Sequence, residues 1–147
     1  MNRLHVRLAA AAGSLLFSSL IAAQVRPYAP KEILPPAPAA THVRITQGPE
    51  LELASADDKS AIIRWTSDNP GGSDEHFGVV HYGTNPKELS QTAKSHVRLN
   101  RGHSYTIFRV RVDDLMPKST YYYTVDSVQA SGKSDGVRSP VRRFSTP

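Results

Sequence analysis

Residues 113–125 read Asp-Asp-Leu-Met-Pro-Lys-Ser-Thr-Tyr-Tyr-Tyr-Thr-Val, a turn that leads directly into a strand. Leu115 and Pro117 shape the turn, and Tyr121, Tyr123 and Val125, being two residues apart, point to one face of the strand that follows. Tyr121 is then placed to bury its ring while its hydroxyl bonds to the backbone of the turn, an arrangement known as a tyrosine corner. The stretch therefore predicts a packing device of a β-sandwich rather than a catalytic group.

The same alternation of apolar and polar residues recurs between residues 41 and 147, a length of about 107 residues that suits one small domain. No segment keeps a helical period beyond about one or two turns. Turn-forming residues separate the alternating runs at 56–59, 68–75, 83–86 and 130–136. The pattern predicts an all-β sandwich of about seven strands. The candidate strands are 42–47, 51–54, 60–67, 77–82, 95–99, 105–113, 121–129 and 141–145.

The alternation also predicts which side chains are buried. Ala61, Ile63 and Trp65 share one side of one strand. In a later strand, residues 108, 110 and 112 are apolar, whereas Arg109 and Arg111 occupy the other side. Trp65 is the single tryptophan, and we expect it to fill the core between the two sheets.

The N-terminal 40 residues have a different composition. A basic head containing Arg3 and Arg7 precedes an apolar and small-residue stretch that ends at Ala23, which predicts a secretory signal peptide over residues 1–23. This stretch is shorter than the roughly 20 apolar residues of a spanning helix. Residues 24–40 contain five prolines and predict an extended linker. We expect an exported protein, periplasmic or extracellular, with no stable membrane insertion after the signal is cleaved.

Cysteine content and net charge bear on how the fold is stabilised and on whether the protein binds nucleic acid. The sequence contains no cysteine, so no disulfide can support the fold. Without residues 1–23, which hold two arginines and no acid, sixteen Lys and Arg remain against thirteen Asp and Glu, a net charge of +3. This excess is too small to indicate nucleic acid. A continuous basic patch would require one outer face to carry Arg64, Arg109, Arg111, Arg142 and Arg143. We expect instead a solvated sheet face and no nucleic-acid partner.

Several short motifs together resemble the fibronectin type III sandwich. They are Trp65 in the run 62–65, Tyr82 followed by Gly83, the corner at 115–123, and the closing run 141–146. The order and spacing of the runs 43–49, 64–66, 81–83, 121–123 and 144–147 are more narrowly similar to the N-terminal domain of purple acid phosphatases. The resemblance covers residues 41–147. It implies a β-sandwich that, in those enzymes, precedes a metallophosphoesterase domain carrying the metal ligands and the chemistry.

The ligand motifs of that catalytic domain do not occur in this sequence. Gly-Asp, Gly-Asn-His-Glu and Gly-His-x-His are missing, and residues 101–105 resemble the last of these only until Tyr105, which stands in place of its second histidine. No Gly-x-Ser-x-Gly run or cysteine nucleophile occurs either. We therefore expect no enzyme activity, no catalytic residue, no metal ion and no cofactor. A phosphatase label would be inherited from the family rather than supported by these residues.

The histidines and the acidic loop 68–75 are the remaining candidate metal ligands. His76 and His81 are five apart and would face opposite sides of one strand, which makes them poor co-ligands. His42, His96 and His103 lie in separate segments, and we expect the histidines to be solvated or structurally bonded. The loop 68–75 offers oxygen ligands for a weak calcium site, an alternative whose spacing fits no defined calcium loop.

Two functions from different classes follow. The first is an exported interaction module that contacts a protein or cell-surface partner through its loops or a sheet edge. Its candidate contact residues lie in two glycine-bearing, charged loops that the fold would bring to one end of the sandwich: Asp68, Asn69, Asp74, Glu75, Lys133 and Asp135. The alternative is an accessory domain of a separately encoded metallophosphoesterase, which rests on the family resemblance.

Overall fold

The computed structural model describes residues 38–57 and 59–147, and this part of the chain forms eight β-strands. They are β1 Ile45–Ser55, β2 Ser60–Asp68, β3 Glu75–Gly83, β4 Gln91–Arg98, β5 Tyr105–Val112, β6 Thr120–Gln129, β7 Ser134–Arg138 and β8 Arg142–Ser145. Among the described residues there is no helix that could cross a membrane. The predicted signal peptide and most of the predicted linker lie outside the described residues.

The strands form two antiparallel sheets. Sheet A has the order β1-β2-β5. Sheet B has the order β4-β3-β6-β7, and β8 pairs with the first residues of β6. The side chains between the sheets form one apolar core, so the predicted all-β sandwich is confirmed.

Three strands differ from the sequence-based prediction. Residues 45–47 and 51–54 of the two predicted strands belong to one strand, β1, and residues 42–44 precede it. The register of β1 with β2 shifts at three places, and β1 includes the cis peptide Gly48-Pro49. Bulges let a Gly-Pro pair sit inside a strand that composition alone would break there. β4 begins four residues before the predicted start at Ser95, because an edge strand can carry polar residues on its exposed face.

The third difference is β7, which the sequence predicted to be part of a turn. Its residues Ser134, Asp135 and Gly136 are turn formers, and Gly136 has a φ of 82°. They are nevertheless held as a bulged strand by pairing with β6, in a register that joins Asp126 to Arg138. Tertiary pairing thus overrides local preference at this edge.

An aromatic pair fills the centre of the core. Trp65 of β2 lies opposite Phe108 of β5, and the two rings stack with their centroids 5.1 Å apart. Trp65 is only 1% exposed, which confirms its predicted place between the sheets. Gly78 of β3 provides the space, since a Cβ atom there would lie 2.9 Å from both Phe108 Cδ1 and Trp65 Cη2.

The tyrosine corner is also confirmed. The hydroxyl of Tyr121 accepts a hydrogen bond from the backbone N–H of Met116 at 2.9 Å. Its ring stacks on Phe144 of β8 with centroids 5.6 Å apart, and Leu115 is buried beneath the turn. The corner therefore joins the turn, β6 and β8, which together form the end of the sandwich opposite the loops described below.

Removal of one hydroxyl tests the corner. Tyr121→Phe leaves the Met116 N–H without its acceptor and is expected to lower the free energy of unfolding by about 1–2 kcal/mol, measured by urea denaturation with Trp65 fluorescence. Tyr122→Phe is the matched control, because no described hydrogen bond uses its hydroxyl, and its effect should stay within about 0.5 kcal/mol. Equal effects of the two substitutions would contradict the role of the corner.

A second substitution tests the aromatic pair. Gly78→Ala is expected to lower the free energy of unfolding by about 1–3 kcal/mol, because the added methyl group overpacks against both rings. Gly102→Ala is the control, since its Cβ would meet only the Asn100 side chain at 3.4 Å. A neutral result for Gly78→Ala in thermal or urea unfolding would show that the pair has room to move.

Candidate functional site

Three loops meet at the end of the sandwich away from the tyrosine corner. They are the β2–β3 loop (69–74), the β4–β5 loop (99–104) and the β6–β7 turn (130–133), and we refer to them together as the loop end. Backbone hydrogen bonds join them to one another and to neighbouring strands: Asn69 N to Ser104 O at 2.9 Å, Leu99 N to Asp74 O at 2.8 Å, and Ala130 N to Glu75 O at 3.1 Å. The predicted meeting of two of these loops at one end of the fold is therefore observed.

Asn69 links two of the loops through its side chain. Its amide nitrogen donates to the carbonyl oxygens of Asn100 at 3.0 Å and His103 at 2.9 Å. Its amide oxygen accepts from the backbone N–H of Gly71 at 3.1 Å. The Asn69 side chain thus provides hydrogen-bond donors to two carbonyl oxygens of the β4–β5 loop and stabilises its own turn, which is a common use of Asn in turns.

His76 lies beneath the loop end with no exposed surface. Its Nδ1 is 2.9 Å from Asp135 Oδ2 of β7, and its Nε2 is 2.9 Å from the carbonyl oxygen of Gly71 and 3.1 Å from that of Ser73. The same Asp135 oxygen accepts a hydrogen bond from Ser127 of β6. The imidazole therefore connects the β2–β3 loop to the β7 edge of sheet B.

These contacts determine the protonation state of His76. Both ring nitrogens face acceptors, and only the imidazolium has an N–H on each nitrogen. Burial by itself lowers the pKa of His76, but the hydrogen bond and the charge of Asp135, with the carbonyls of Gly71 and Ser73, outweigh it and raise this pKa above 6.5. Below this raised pKa, His76 and Asp135 form a buried ion pair.

The combination of Ser127, Asp135 and His76 has the residue types of a hydrolytic triad but not its geometry. In a triad the histidine lies between the nucleophile and the carboxylate. Here the carboxylate lies between Ser127 and His76, and the other imidazole nitrogen donates to main-chain carbonyls. Ser127 is fully buried, so the cluster holds the loop end together and presents no nucleophile.

The structure assigns most of the predicted contact residues to internal bonds. Asp68 pairs with Arg44 at 3.2 Å, Asp74 accepts from Arg101 Nε at 3.0 Å, and Glu75 lies 3.5 Å from His96. Asn69 and Asp135 are engaged as described above. Lys133 is exposed at the tip of the β6–β7 turn.

Sequence reasoning missed the central role of His76. It correctly placed His76 and His81 on opposite faces of one strand, since His76 enters the buried network and His81 contacts Asp126 on the outer face of sheet B. The available signal was a histidine that directly follows an acidic, glycine-bearing loop at the start of a strand. Its partner Asp135 is 59 residues away in the chain, which no local pattern reveals.

The loop end also contains a cleft of about 190 Å³. Asn69, Gly72, Asp74, Leu99, Arg101 and His103 contribute to its walls. At its margin the rings of His103 and Tyr105 lie 5.5 Å apart, and both side chains are exposed. The cleft thus combines ring surfaces with polar groups that the hydrogen bonds above hold in place.

The structure also shows where the candidate metal ligands and the arginines of the basic patch considered above lie. Among residues 38–57 and 59–147, no three His, Cys, Asp or Glu side chains converge as metal ligands. Three arginines share the outer face of sheet A, each paired with an acid: Arg64 with Glu50 at 3.3 Å, Arg109 with Glu52 at 2.7 Å, and Arg111 with Asp113 at 2.6 Å. Arg142 and Arg143 belong to β8 in sheet B, so the five arginines do not form one patch.

The paired sheets and the tyrosine corner define a fibronectin type III-like β-sandwich. Residues 46–146 match the family model described as Purple acid Phosphatase, N-terminal domain. This match spans well over half of the sequence, and the chain belongs to that family. A search of curated proteins found no match to the sequence.

The His76 ion pair predicts a dependence of stability on pH. Because its pKa is raised in the folded protein, its contribution is fully present below about pH 6.5 and is lost as the pH rises through the raised value. We expect the free energy of unfolding to fall as the pH rises above about 6.5 in the natural protein but much less in His76→Gln. His42→Gln, at an exposed position, should retain the pH dependence of the natural protein. Parallel profiles for the natural protein and His76→Gln would contradict the assignment.

Proposed function

We propose that this chain is an exported, non-catalytic domain that binds a protein partner through the loop end. The observation that carries the proposal is that its loops are already locked together, by Asn69 across the β2–β3 and β4–β5 loops and by His76 beneath them. A preformed surface loses little conformational entropy when it binds. Loops at the ends of such sandwiches are also their usual contact sites.

The exposed rings and the cation of the loop end, rather than its internally bonded acids, are the proposed contacts. His103 and Tyr105 offer ring surfaces beside the cleft, and Lys133 offers a cation at the tip of the neighbouring turn. Aromatic side chains contribute much contact area at a low cost in side-chain entropy. Asn69, Asp74 and Asp135 act as the support that fixes these contacts in place.

Family membership favours a second candidate partner, a metallophosphoesterase domain. The matching family is named for the N-terminal domain of purple acid phosphatase. In this version the chain is an accessory domain that docks against the catalytic domain and affects its assembly or its access to substrate. The support is fold and family analogy, and the chemistry would belong to the docked domain.

Affinity capture tests the loop end as the contact surface. The protein is used as bait for the native envelope and secreted fractions, and bound proteins are identified by mass spectrometry. Tyr105→Ala combined with Lys133→Glu is expected to reduce the retention of the specific partner about tenfold or more, as for central interface residues. Lys87→Glu, at the opposite end of the sandwich, should leave retention unchanged. Equal retention by all three proteins would exclude the loop end.

The same experiment separates the two candidate partners. Enrichment of a metallophosphoesterase that depends on Tyr105 and Lys133 would support the accessory domain, and enrichment of another exported protein would support the general module. The chain alone is expected not to hydrolyse a phosphate monoester, even with added ferric or divalent ions. Chelator-sensitive hydrolysis by the purified chain would contradict the non-catalytic proposal.

A further inference from the structure

The edge strand β4 has features that no part of the loop-end proposal uses. It is the outer strand of sheet B, and among the described strands it hydrogen-bonds only to β3. Its eight residues pair with β3 without a register shift, from Glu75 opposite Arg98 to Tyr82 opposite Gln91. A regular edge of this kind presents unpaired N–H and C=O groups at the spacing of a further strand.

Other edges of the sandwich are less suited to pairing. The register of β1 shifts at three places and that of β7 shifts once, and such bulges interrupt the spacing of backbone groups. β5 is regular, but its outward arginines, Arg109 and Arg111, are already paired with Glu52 and Asp113. β4 therefore combines a regular edge with charged side chains that form no ion pair within the described part of the chain.

Those charges are all positive. β4 reads Gln-Thr-Ala-Lys-Ser-His-Val-Arg and contains no acid. Its outward side chains at 92, 94, 96 and 98 are exposed. Lys94 lies opposite Val79 on β3, and Lys94 and Arg98 form no ion pair with any described residue. The acid opposite Arg98, Glu75, contacts His96 instead, at 3.5 Å.

The inner side of β4 has the opposite character. Ala93 and Val97 are partly buried and pack against the core, and Ser95 between them is also half-buried. A strand added beside β4 would place alternate side chains against these small groups and the others beside Lys94 and Arg98. The edge therefore suits a segment in which acidic residues alternate with apolar ones.

We propose that the free edge of β4 takes up an extended polypeptide segment of alternating acidic and apolar residues as an added strand. Backbone hydrogen bonds would supply general affinity, and side chains at alternate positions would supply specificity. Opposite charges directly across two strands attract, whereas like charges repel. Lys94 and Arg98 thus discourage pairing between two copies of β4 and favour an acidic partner. A polypeptide can form strand-type hydrogen bonds with the free backbone groups of β4, whereas other polyanions have no peptide backbone with which to do so.

A synthetic peptide tests this proposal independently of the loop end. An octapeptide of alternating Glu and Val is titrated against the protein by fluorescence anisotropy, and hydrogen exchange is followed at residues 91–98. We expect binding together with slower exchange of β4 amides. A block peptide with the same composition, and an alternating Lys and Val peptide, should bind at least about tenfold more weakly.

Charge reversal provides the matched variants. Lys94→Glu combined with Arg98→Glu should weaken binding of the alternating acidic peptide about tenfold or more. Lys59→Glu combined with Lys118→Glu makes the same change of charge in the β1–β2 and β5–β6 turns, at exposed positions, and should have less than about a twofold effect. Circular dichroism establishes that each variant is folded. If the edge variant does not fold, the exchange pattern of the natural protein still decides the question.

Several outcomes would overturn the proposal. No binding of the alternating acidic peptide is one, and binding without protection of β4 amides is another. Equal binding of the block peptide, or displacement of the alternating peptide by a heparin fragment or by anionic phosphatidylserine vesicles at equal charge, would mean that the surface attracts polyanions in general. None of these results depends on Tyr105, so the proposal can fail while the loop-end function stands.

Discussion

Stacking of Trp65 on Phe108 is the interaction on which the rest of this sandwich depends. The chain has no cysteine, so burial of apolar surface has to hold the two sheets together without a disulfide. The stack requires β2 and β5 to pair with these two residues directly opposite, and it requires Gly78 beneath the rings on the other sheet. Once that register is set, Arg64 and Arg109 must point outward, and the acids of β1 neutralise them.

The two ends of the sandwich are stabilised by different physical means. Aromatic packing and one hydroxyl hold the corner end, where Tyr121 joins the turn to β6 and β8. The loop end is held by polar groups, of which the ion pair between His76 and Asp135 is fully enclosed. A buried ion pair adds little net stability unless its remaining hydrogen bonds are satisfied. Here the carbonyls of Gly71 and Ser73 satisfy the second nitrogen, so the pair mainly specifies how the loops are arranged.

Charge is distributed unevenly over the surface of this family member. The outer face of sheet A is almost self-neutralised by pairs between arginines and acids. On sheet B, Arg138 contacts Asp126 at 3.0 Å, whereas β4 keeps cations that no described acid pairs with. Such asymmetry is a property of surfaces rather than of the core, and it can vary between members of a family while the fold is retained. The β4 edge therefore differs in charge from the outer face of sheet A.

The sequence alone predicted the features that depend on residues near one another in the chain. The tyrosine corner, the inward faces of β2 and β5, and the place of Trp65 follow from alternation and turn chemistry within short windows. The single strand β1, the strand β7 and the extent of β4 did not follow, because pairing with a neighbour overrode local signals. Asn69, Asp74 and Asp135, which the sequence predicted as partner contacts, make internal hydrogen bonds that the sequence did not predict. Their distant partners, His103, Arg101 and His76, are 27 to 59 residues away in the chain, and only the folded chain brings such groups within hydrogen-bond range.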